Sequence, residues 1–193
     1  MNIEEMSATV NERVYYEQRT YAPQEPEINE AAENTPSDYI LEALADNEDG
    51  DARLYIDQNQ GQFVYDVAAG RWFIWNSHYW EKDTLGEATR AIDSVIELYA
   101  EEAQRQAWQR LQSEKSGKSD DAKKHKDIEN DLLKRIRALQ TVTRKDSVLM
   151  LARTGRDSLA NPGDKWDQKP WLLPCKNCVI DLQTGNTTAG NPE

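Results

Sequence analysis

The stretch QFVYDVAAGRWFIWNSHYWEKD, residues 62–83, decides the fold because a largely helical pattern surrounds it on both sides. Two aromatic-rich runs flank Ala68-Ala69-Gly70, and a polar break at Asn76-Ser77 precedes a third run, which predicts a β-meander over residues 62–82. The middle run, Trp72 to Trp75, is apolar on both faces, as in a covered strand. Exposed tryptophans could stack nucleic-acid bases, but Lys and Arg are not interleaved here. We therefore expect Trp72 and Trp75 to lie at least half in the core.

Helical periodicity dominates the rest of the chain. Apolar residues recur at steps of three and four from Leu85 to Ala107, the pattern of a long amphipathic helix. A charged loop and a second amphipathic helix follow, which predicts a helical hairpin. The predicted elements are helices over residues 36–45, 51–57, 84–112, 121–140 and 144–153, the β-meander over 62–82 and a β-hairpin over 171–188. We predict an α+β domain over residues 35–190, in which a small antiparallel, aromatic-rich sheet packs on the long helical hairpin.

Charge is distributed unevenly along the chain. Residues 1–51 hold 14 Asp and Glu against two arginines, so the whole net charge of −12 lies in this part. Such a composition cannot bury enough apolar surface to fold, which predicts an acidic, mostly disordered tail over residues 1–34. Between Arg105 and Arg156, in contrast, 14 Lys and Arg stand against 7 Asp and Glu. A basic surface is therefore expected on the second half of the helical hairpin.

The sequence lacks the patterns of a membrane span, a secretory signal and a complete phosphate-binding loop. No apolar run approaches the roughly 18 residues of a membrane span, and no secretory signal is visible, so we expect a cytoplasmic protein, in the host cytoplasm if phage-encoded. Gly117-Lys118-Ser119 resembles the end of a phosphate-binding loop, but Gln112 stands where that loop requires its first glycine. ATP binding through this segment is therefore not expected.

The stretch PCKNCVIDLQTG, residues 174–185, holds the only two cysteines, Cys175 and Cys178. A C-x-x-C pair is typical of redox motifs and of half a zinc site, but zinc needs two more ligands, and His78 and His125 are the only histidines. A structural turn explains the segment better, so we predict no metal and no catalytic residue. The turn residues of this motif are Asn177, Asp181, Thr184 and Gly185, with Asp181 capping backbone amides and Gly185 free to adopt positive φ.

The same segment, read as WLLPCKNCVIDLQTG, resembles a signature of the phage and plasmid primase-helicases related to the poxvirus replicative NTPase, in a domain ahead of their superfamily 3 helicase module. Pro174 and Cys178 depart from the pattern, where the family has Asn and Gly. The matching residues are Leu172, Leu173, Lys176, Asn177, Val179, Ile180, Asp181, Leu182, Thr184 and Gly185, together with Trp72, Trp75 and Trp80 of the meander. The resemblance extends over roughly residues 51–185.

The resemblance implies the N-terminal accessory domain of a DNA helicase that acts in replication and helps DNA engagement and ring assembly. It leaves no active site in this chain, and ATP and magnesium are expected only in the helicase module, so no cofactor is expected here. The expected partners are DNA, with single strands favoured, helicase and primase modules in cis or in trans, and other copies of the chain once it is joined to the helicase. The chain is expected to be a piece of a longer protein or a separately encoded subunit.

Candidate DNA contacts lie on or beside two of the predicted helices, where cationic residues recur. Acidic neighbours make a solvated helix face an equal alternative for the cluster at Lys123, whereas we favour DNA for Lys134, Arg135 and Arg137. The candidates are Lys123, Lys124, Lys126, Lys134, Arg135, Arg137, Arg144, Lys145, Arg153 and Arg156. The alternative function is a non-catalytic protein-interaction or DNA-mimicking module that works through its acidic tail. If the domain binds DNA, residues 1–34 are expected to compete with DNA for the face from Lys123 to Arg156.

Overall fold

The computed structural model describes residues 35–155, 157–164, 166 and 168–192. The predicted α+β fold is confirmed, and the predicted acidic tail over residues 1–34 lies outside the described residues. The helices are α1 (Ser37–Ala45), α2 (Asn47–Asn59), α3 (Glu87–Arg90), α4 (Asp93–Lys115), α5 (Ser119–Leu139) and α6 (Val142–Ala152). The strands are β1 (Phe63–Asp66), β2 (Arg71–Trp75), β3 (Trp80–Lys82), β4 (Ala160–Asn161), β5 (Leu172–Pro174), β6 (Val179–Asp181) and β7 (Thr187–Thr188).

The helical hairpin consists of α4 and α5, which pack against each other along their length. Val95, Leu98 and Tyr99 of α4 and Leu132 and Leu139 of α5 are buried, because their spacing of three and four residues places them on the facing stripes. The charged loop expected between the two helices is shorter than predicted. Helix α4 extends to Lys115 and α5 begins at Ser119, so the lysines after residue 122 are helical.

Helices α1 and α2 form a tight pair that closes one side of the core. The chain turns at Asn47, which adopts a positive φ of 56°, and Gly50 then meets the backbone of Ala43. A Cβ atom built on Gly50 would lie 1.9 Å from the Ala43 carbonyl oxygen, so only glycine permits this approach. The predicted helix over 51–57 is therefore the central part of a longer helix, anchored by the buried Leu54 and Tyr55.

The predicted meander forms three strands of a four-stranded sheet with the order β3-β2-β1-β4. The fourth strand, β4, pairs in parallel with β1, an addition that the local pattern did not indicate. Trp72 and Ile74 point to the helical core, whereas Phe73 and Trp75 point to the other face, because side chains alternate along a strand. As expected, Trp72 and Trp75 are both more buried than exposed.

A separate three-stranded antiparallel sheet, with the order β5-β6-β7, contains the predicted C-terminal hairpin. Val179 of β6 is buried. Strand β7 adds an edge strand after the turn at Gly185, where φ is 75°. The described residues contain no helix that is long and apolar enough to cross a membrane.

The predicted start of the long helix is wrong. Leu85 lies outside the helix and is 79% exposed, because the carboxylate of Asp83 accepts hydrogen bonds from the amides of Leu85, Gly86, Glu87 and Ala88. This cap orders the connection between β3 and α3 and separates the short α3 from α4.

Candidate nucleic-acid interface

The outward face of α5 carries a stripe of exposed cations. Lys123, Lys126 and Arg137 share this face with Asn130 and Leu133, at the successive spacings of three and four residues that align side chains along a helix. We call these five residues the lysine stripe. At 1.5 Å of rise per residue it extends over about 21 Å. None of its three cations has an ion-pair partner among the described residues.

One flank of the lysine stripe is acidic. Lys123 and Lys124 border a shallow surface cleft that also contains Asp120, Asp127 and Asp131. Both lysines lie beside these carboxylates, so their charge is locally offset. The opposite flank faces α4, where Glu129 is already paired with Arg110 at 3.1 Å. The net positive potential is therefore expected on the line from Lys126 to Arg137.

Two of the predicted DNA contacts, Arg135 and Arg144, are instead engaged in a buried ion cluster. The Asp51 carboxylate, which is fully buried, accepts hydrogen bonds from both guanidinium groups at 2.8 Å and from the Tyr99 hydroxyl at 2.8 Å. Glu48 forms a further ion pair with Arg144. We call these five residues the Asp51 cluster, and it joins α2, α4, α5 and α6 at one point.

The geometry of the Asp51 cluster explains why an arginine stands at position 135. Arg135 also donates to the carbonyl oxygens of Leu44 and Asn47 and to the Asn47 side chain, so its fork-shaped guanidinium satisfies the end of α1 as well as the carboxylate. Burial, followed by the neighbouring Asp51 carboxylate, raises the pKa of Tyr99, which keeps its hydroxyl protonated as a donor.

The other predicted cations are distributed over several environments. Lys134 is exposed and pairs with Asp131 at 2.8 Å, and Lys145 pairs with Asp93 at 3.2 Å. The Arg153 guanidinium lies 4.6 Å from the centre of the Tyr65 ring, a cation–π contact that places it against the larger sheet. Arg156 lies outside the described residues. The ten candidates therefore do not form one surface, and their DNA contacts stay predictions.

Two tryptophans of the meander, Trp75 and Trp80, lie in an aromatic cluster on the outer face of the larger sheet. Trp75 and Trp80 pack with ring centres 5.3 Å apart, and Trp166 packs on Phe73 at 5.5 Å. The Trp166 indole nitrogen donates to the Asp66 carboxylate at 2.6 Å, which fixes the segment after β4 over this face. The amide of Ala69 and then the Trp166 indole lower the pKa of Asp66. The cluster thus acts as a second core.

The motif residues near the C-terminus form hydrogen-bonded turns. The Cys175 amide donates to the Cys178 carbonyl at 2.8 Å and closes the turn that contains Asn177. The Asp181 carboxylate accepts from the amides of Gln183 and Thr184, and the first of these bonds makes the largest contribution to lowering its pKa. The Gly185 amide donates to the Asp181 carbonyl at 2.7 Å. Each motif residue thus has a backbone role.

The part of the chain that the structure describes contains no set of side chains that could bind a metal ion. No group of three or more His, Cys, Asp or Glu side chains lies close enough there to hold a metal ion. Cys175 and Cys178 are free thiols at partly exposed positions of the turn. His78 accepts a backbone hydrogen bond from Gly190, and a ring nitrogen of His125 lies 2.7 Å from the Gln106 side chain.

Sequence reasoning missed two features of the surface and core. Charge counting groups Asp51 with the acidic residues of 1–51, although it is buried and pairs with arginines of α5 and α6. Trp171 was read only as part of a family motif, yet it is the one exposed tryptophan among the described residues.

Comparisons with known proteins identify the family. A family model described as D5 N terminal like matches residues 52–193, which is most of the chain. No curated protein and no solved structure matches significantly. The matched region begins within α2, next to Asp51, and includes the helical hairpin, both sheets and the C-terminal motif. The chain therefore belongs to the D5 N terminal like family, the N-terminal domain of D5-like primase-helicases.

Proposed function

We propose that the chain is the accessory domain of a phage- or plasmid-type superfamily 3 DNA helicase that acts in replication, and that its lysine stripe contacts the DNA backbone. One observation carries the proposal: Lys123, Lys126 and Arg137 are exposed, aligned and without an ion-pair partner among the described residues. Family membership supports the replication role. ATP and magnesium belong to the helicase module, with which this domain would work in cis or in trans, next to a primase.

The physical argument rests on the difference between paired and unpaired cations. Arg135 and Arg144 already neutralise a buried carboxylate, so a phosphate could recruit them only if the Asp51 cluster opened. The three stripe cations are exposed, and they can exchange water and counterions for phosphate at little structural cost. The contact would be independent of base sequence, as expected for a domain that guides DNA during replication.

The test compares two triple variants of the full chain. The first removes the stripe cations (Lys123→Ala, Lys126→Ala and Arg137→Ala), and the matched control removes three exposed cations near the larger sheet (Arg71→Ala, Lys82→Ala and Arg90→Ala). Binding of a fluorescein-labelled oligothymidine is followed by anisotropy over roughly 0.05–0.2 M salt. We expect the stripe variant to bind more weakly and its logarithmic salt slope to fall by about 2, which is about 0.7 for each of three lost contacts.

Three results would overturn this proposal. The wild-type chain binds no single-stranded DNA at low salt, the two triple variants lose the same affinity, or the stripe variant keeps the wild-type salt slope. In the first case the alternative of a protein-interaction module gains support. Circular dichroism spectra of both variants provide the folding control, and neither set includes a residue of the Asp51 cluster.

A further inference from the structure

The three-stranded C-terminal sheet exposes an apolar face. Trp171 pairs with Leu182 through the hydrogen bond from the Leu182 amide to the Trp171 carbonyl, and Leu173 pairs with Ile180. Directly opposed residues on antiparallel strands point to the same side, so these four side chains share one face. Trp171 is 39% exposed, Leu173 48% and Leu182 60%. We call this face the apolar platform.

The opposite face of the same sheet has a different role. Val179 and Leu172 alternate with the platform residues, and Val179 is buried. Asp181 also lies on that side, and its carboxylate accepts hydrogen bonds from turn amides. Val179 is therefore covered on that side, whereas Trp171, Leu173 and Leu182 on the platform side are each at least 39% exposed.

The size of the platform decides between classes of occupant. With strands about 4.8 Å apart and about 3.4 Å of rise per residue, its four apolar side chains cover roughly 10 by 10 Å. A stable protein interface buries about 800 Å² on each partner, which is several times more. A second copy of the chain would thus find too little surface here. A small sheet face with an exposed aromatic ring is, in contrast, what RNA-recognition modules use to stack two or three bases.

Charge favours the same class of occupant. From Gln168 to Pro192 the charged residues are Lys169, Lys176 and Asp181, so this segment is net positive in a chain whose overall charge is −12. Both lysines are exposed, and Asp181 is on the opposite face. An exposed aromatic ring in a segment whose exposed charged residues, among those the structure describes, are lysines matches the composition of single-strand binding surfaces.

We propose that the apolar platform is a second contact for single-stranded nucleic acid, in which a base stacks on Trp171 while Lys169 and Lys176 contact the adjacent phosphates. Leu173, Ile180 and Leu182 supply the apolar surface for neighbouring bases. This inference rests on the proposed DNA-binding function and adds a second site with different physics. Stacking on Trp171 neutralises no phosphate, so losing the ring should leave the salt slope unchanged, whereas losing the cations of the lysine stripe should lower it.

The two contacts can be separated by measurement. Full-length Trp171→Ala and Trp171→Phe variants are titrated with oligothymidine and with an abasic oligonucleotide that has phosphates but no bases. We expect Trp171→Ala to weaken oligothymidine binding by about five- to hundredfold with an unchanged salt slope, as for one lost base stack. Trp171→Phe should keep most of the affinity, and binding of the abasic strand should not change in either variant. Irradiation of wild type with a bromodeoxyuridine oligonucleotide should cross-link the peptide that contains Trp171.

The outcomes distinguish the two proposals. If wild type binds no single-stranded DNA, the proposed function fails. If wild type binds but Trp171→Ala binds equally well, or if the cross-link maps elsewhere, the platform is not a DNA contact. The proposal that the lysine stripe contacts DNA is not affected by this result. A wild-type dimer in sedimentation that Trp171→Ala dissociates would assign the platform to a protein interface and overturn the inference. Because the cross-linking experiment uses the wild-type chain, it tests the platform even if a variant folds poorly.

Discussion

Replacing Asp51 by Asn should destabilise the domain far more than its single lost charge suggests. Asp51 is fully buried and is shared by Arg135 and Arg144, whose side chains are 11% and 14% exposed. Breaking a buried pair by removing one partner costs about 3–5 kcal/mol, because the remaining charges are left without compensation. The lower end is expected, since Glu48 still pairs with Arg144 and the Asn side chain can still accept from Tyr99. Total stability of a domain is about 5–15 kcal/mol, so this loss is severe.

Urea unfolding followed by far-ultraviolet circular dichroism measures this effect. With a slope of about 2 kcal/mol per molar urea, a loss of about 3 kcal/mol lowers the midpoint by about 1.5 M. The matched control is Asp46→Asn, which removes the carboxylate of the more exposed Asp46–Arg53 pair and should cost less than about 1 kcal/mol. Equal midpoint shifts in the two variants would refute the argument that burial makes the Asp51 cluster essential.

Three further predictions concern other parts of the chain. Asp83→Ala should cost about 1–2 kcal/mol by uncapping the turn before α3. Burial alone would raise the pKa of Asp83, but four amide hydrogen bonds lower it. The stabilisation by Asp83 is therefore present above the ordinary pKa of 3.8 and is lost as the pH falls below that value. A pH series of urea midpoints checks this, and a pH-independent difference between Asp83→Ala and wild type would contradict it. Gly50→Ala should destabilise the domain by at least about 1–3 kcal/mol, because a new Cβ meets the Ala43 backbone. The control is Gly70→Ala, whose Cβ meets nothing within 4 Å, and thermal melting should show a smaller effect for it. Deleting residues 1–34 should strengthen binding of single-stranded DNA at low salt, and the gain should vanish in the triple variant of the lysine stripe; equal affinities of the truncated and intact chains across a salt series would count against competition by the tail.

The parts of the fold that could be predicted from sequence are those with local causes. The period of three and four residues in α4 and α5 follows from one buried stripe on each helix, and the aromatic runs of β1 and β2 follow from side chains that alternate between two covered faces. The predicted boundaries of helices are wrong where a single side chain determines where the helix begins. The Asp83 carboxylate stops the helical pattern at Leu85, although the spacing of apolar residues continues through it.

Contacts between distant parts of the chain left no local signal. Asp51 meets Tyr99, Arg135 and Arg144 at separations of 48, 84 and 93 residues, and in the sequence it is one carboxylate among many in an acidic region. Strand β4 pairs with β1 across a similar distance, and two residues carry too little pattern to be recognised as a strand. These features depend on the packed structure, so hydropathy and charge counts could not provide them.

The division of labour between arginine and lysine links the stability of this domain to its proposed function. Arginine supplies the buried contacts around Asp51, because its planar fork satisfies a carboxylate and backbone carbonyls together. Lysine supplies most of the exposed cationic positions on α5, where a hydrated point charge keeps its freedom to meet phosphate. A local excess of positive charge in the sequence therefore overstates the charge that is free for DNA. It follows that Arg135→Ala should destabilise the domain, so it could not serve as a test of a DNA contact alone, whereas the stripe cations can be replaced without removing a residue of the Asp51 cluster.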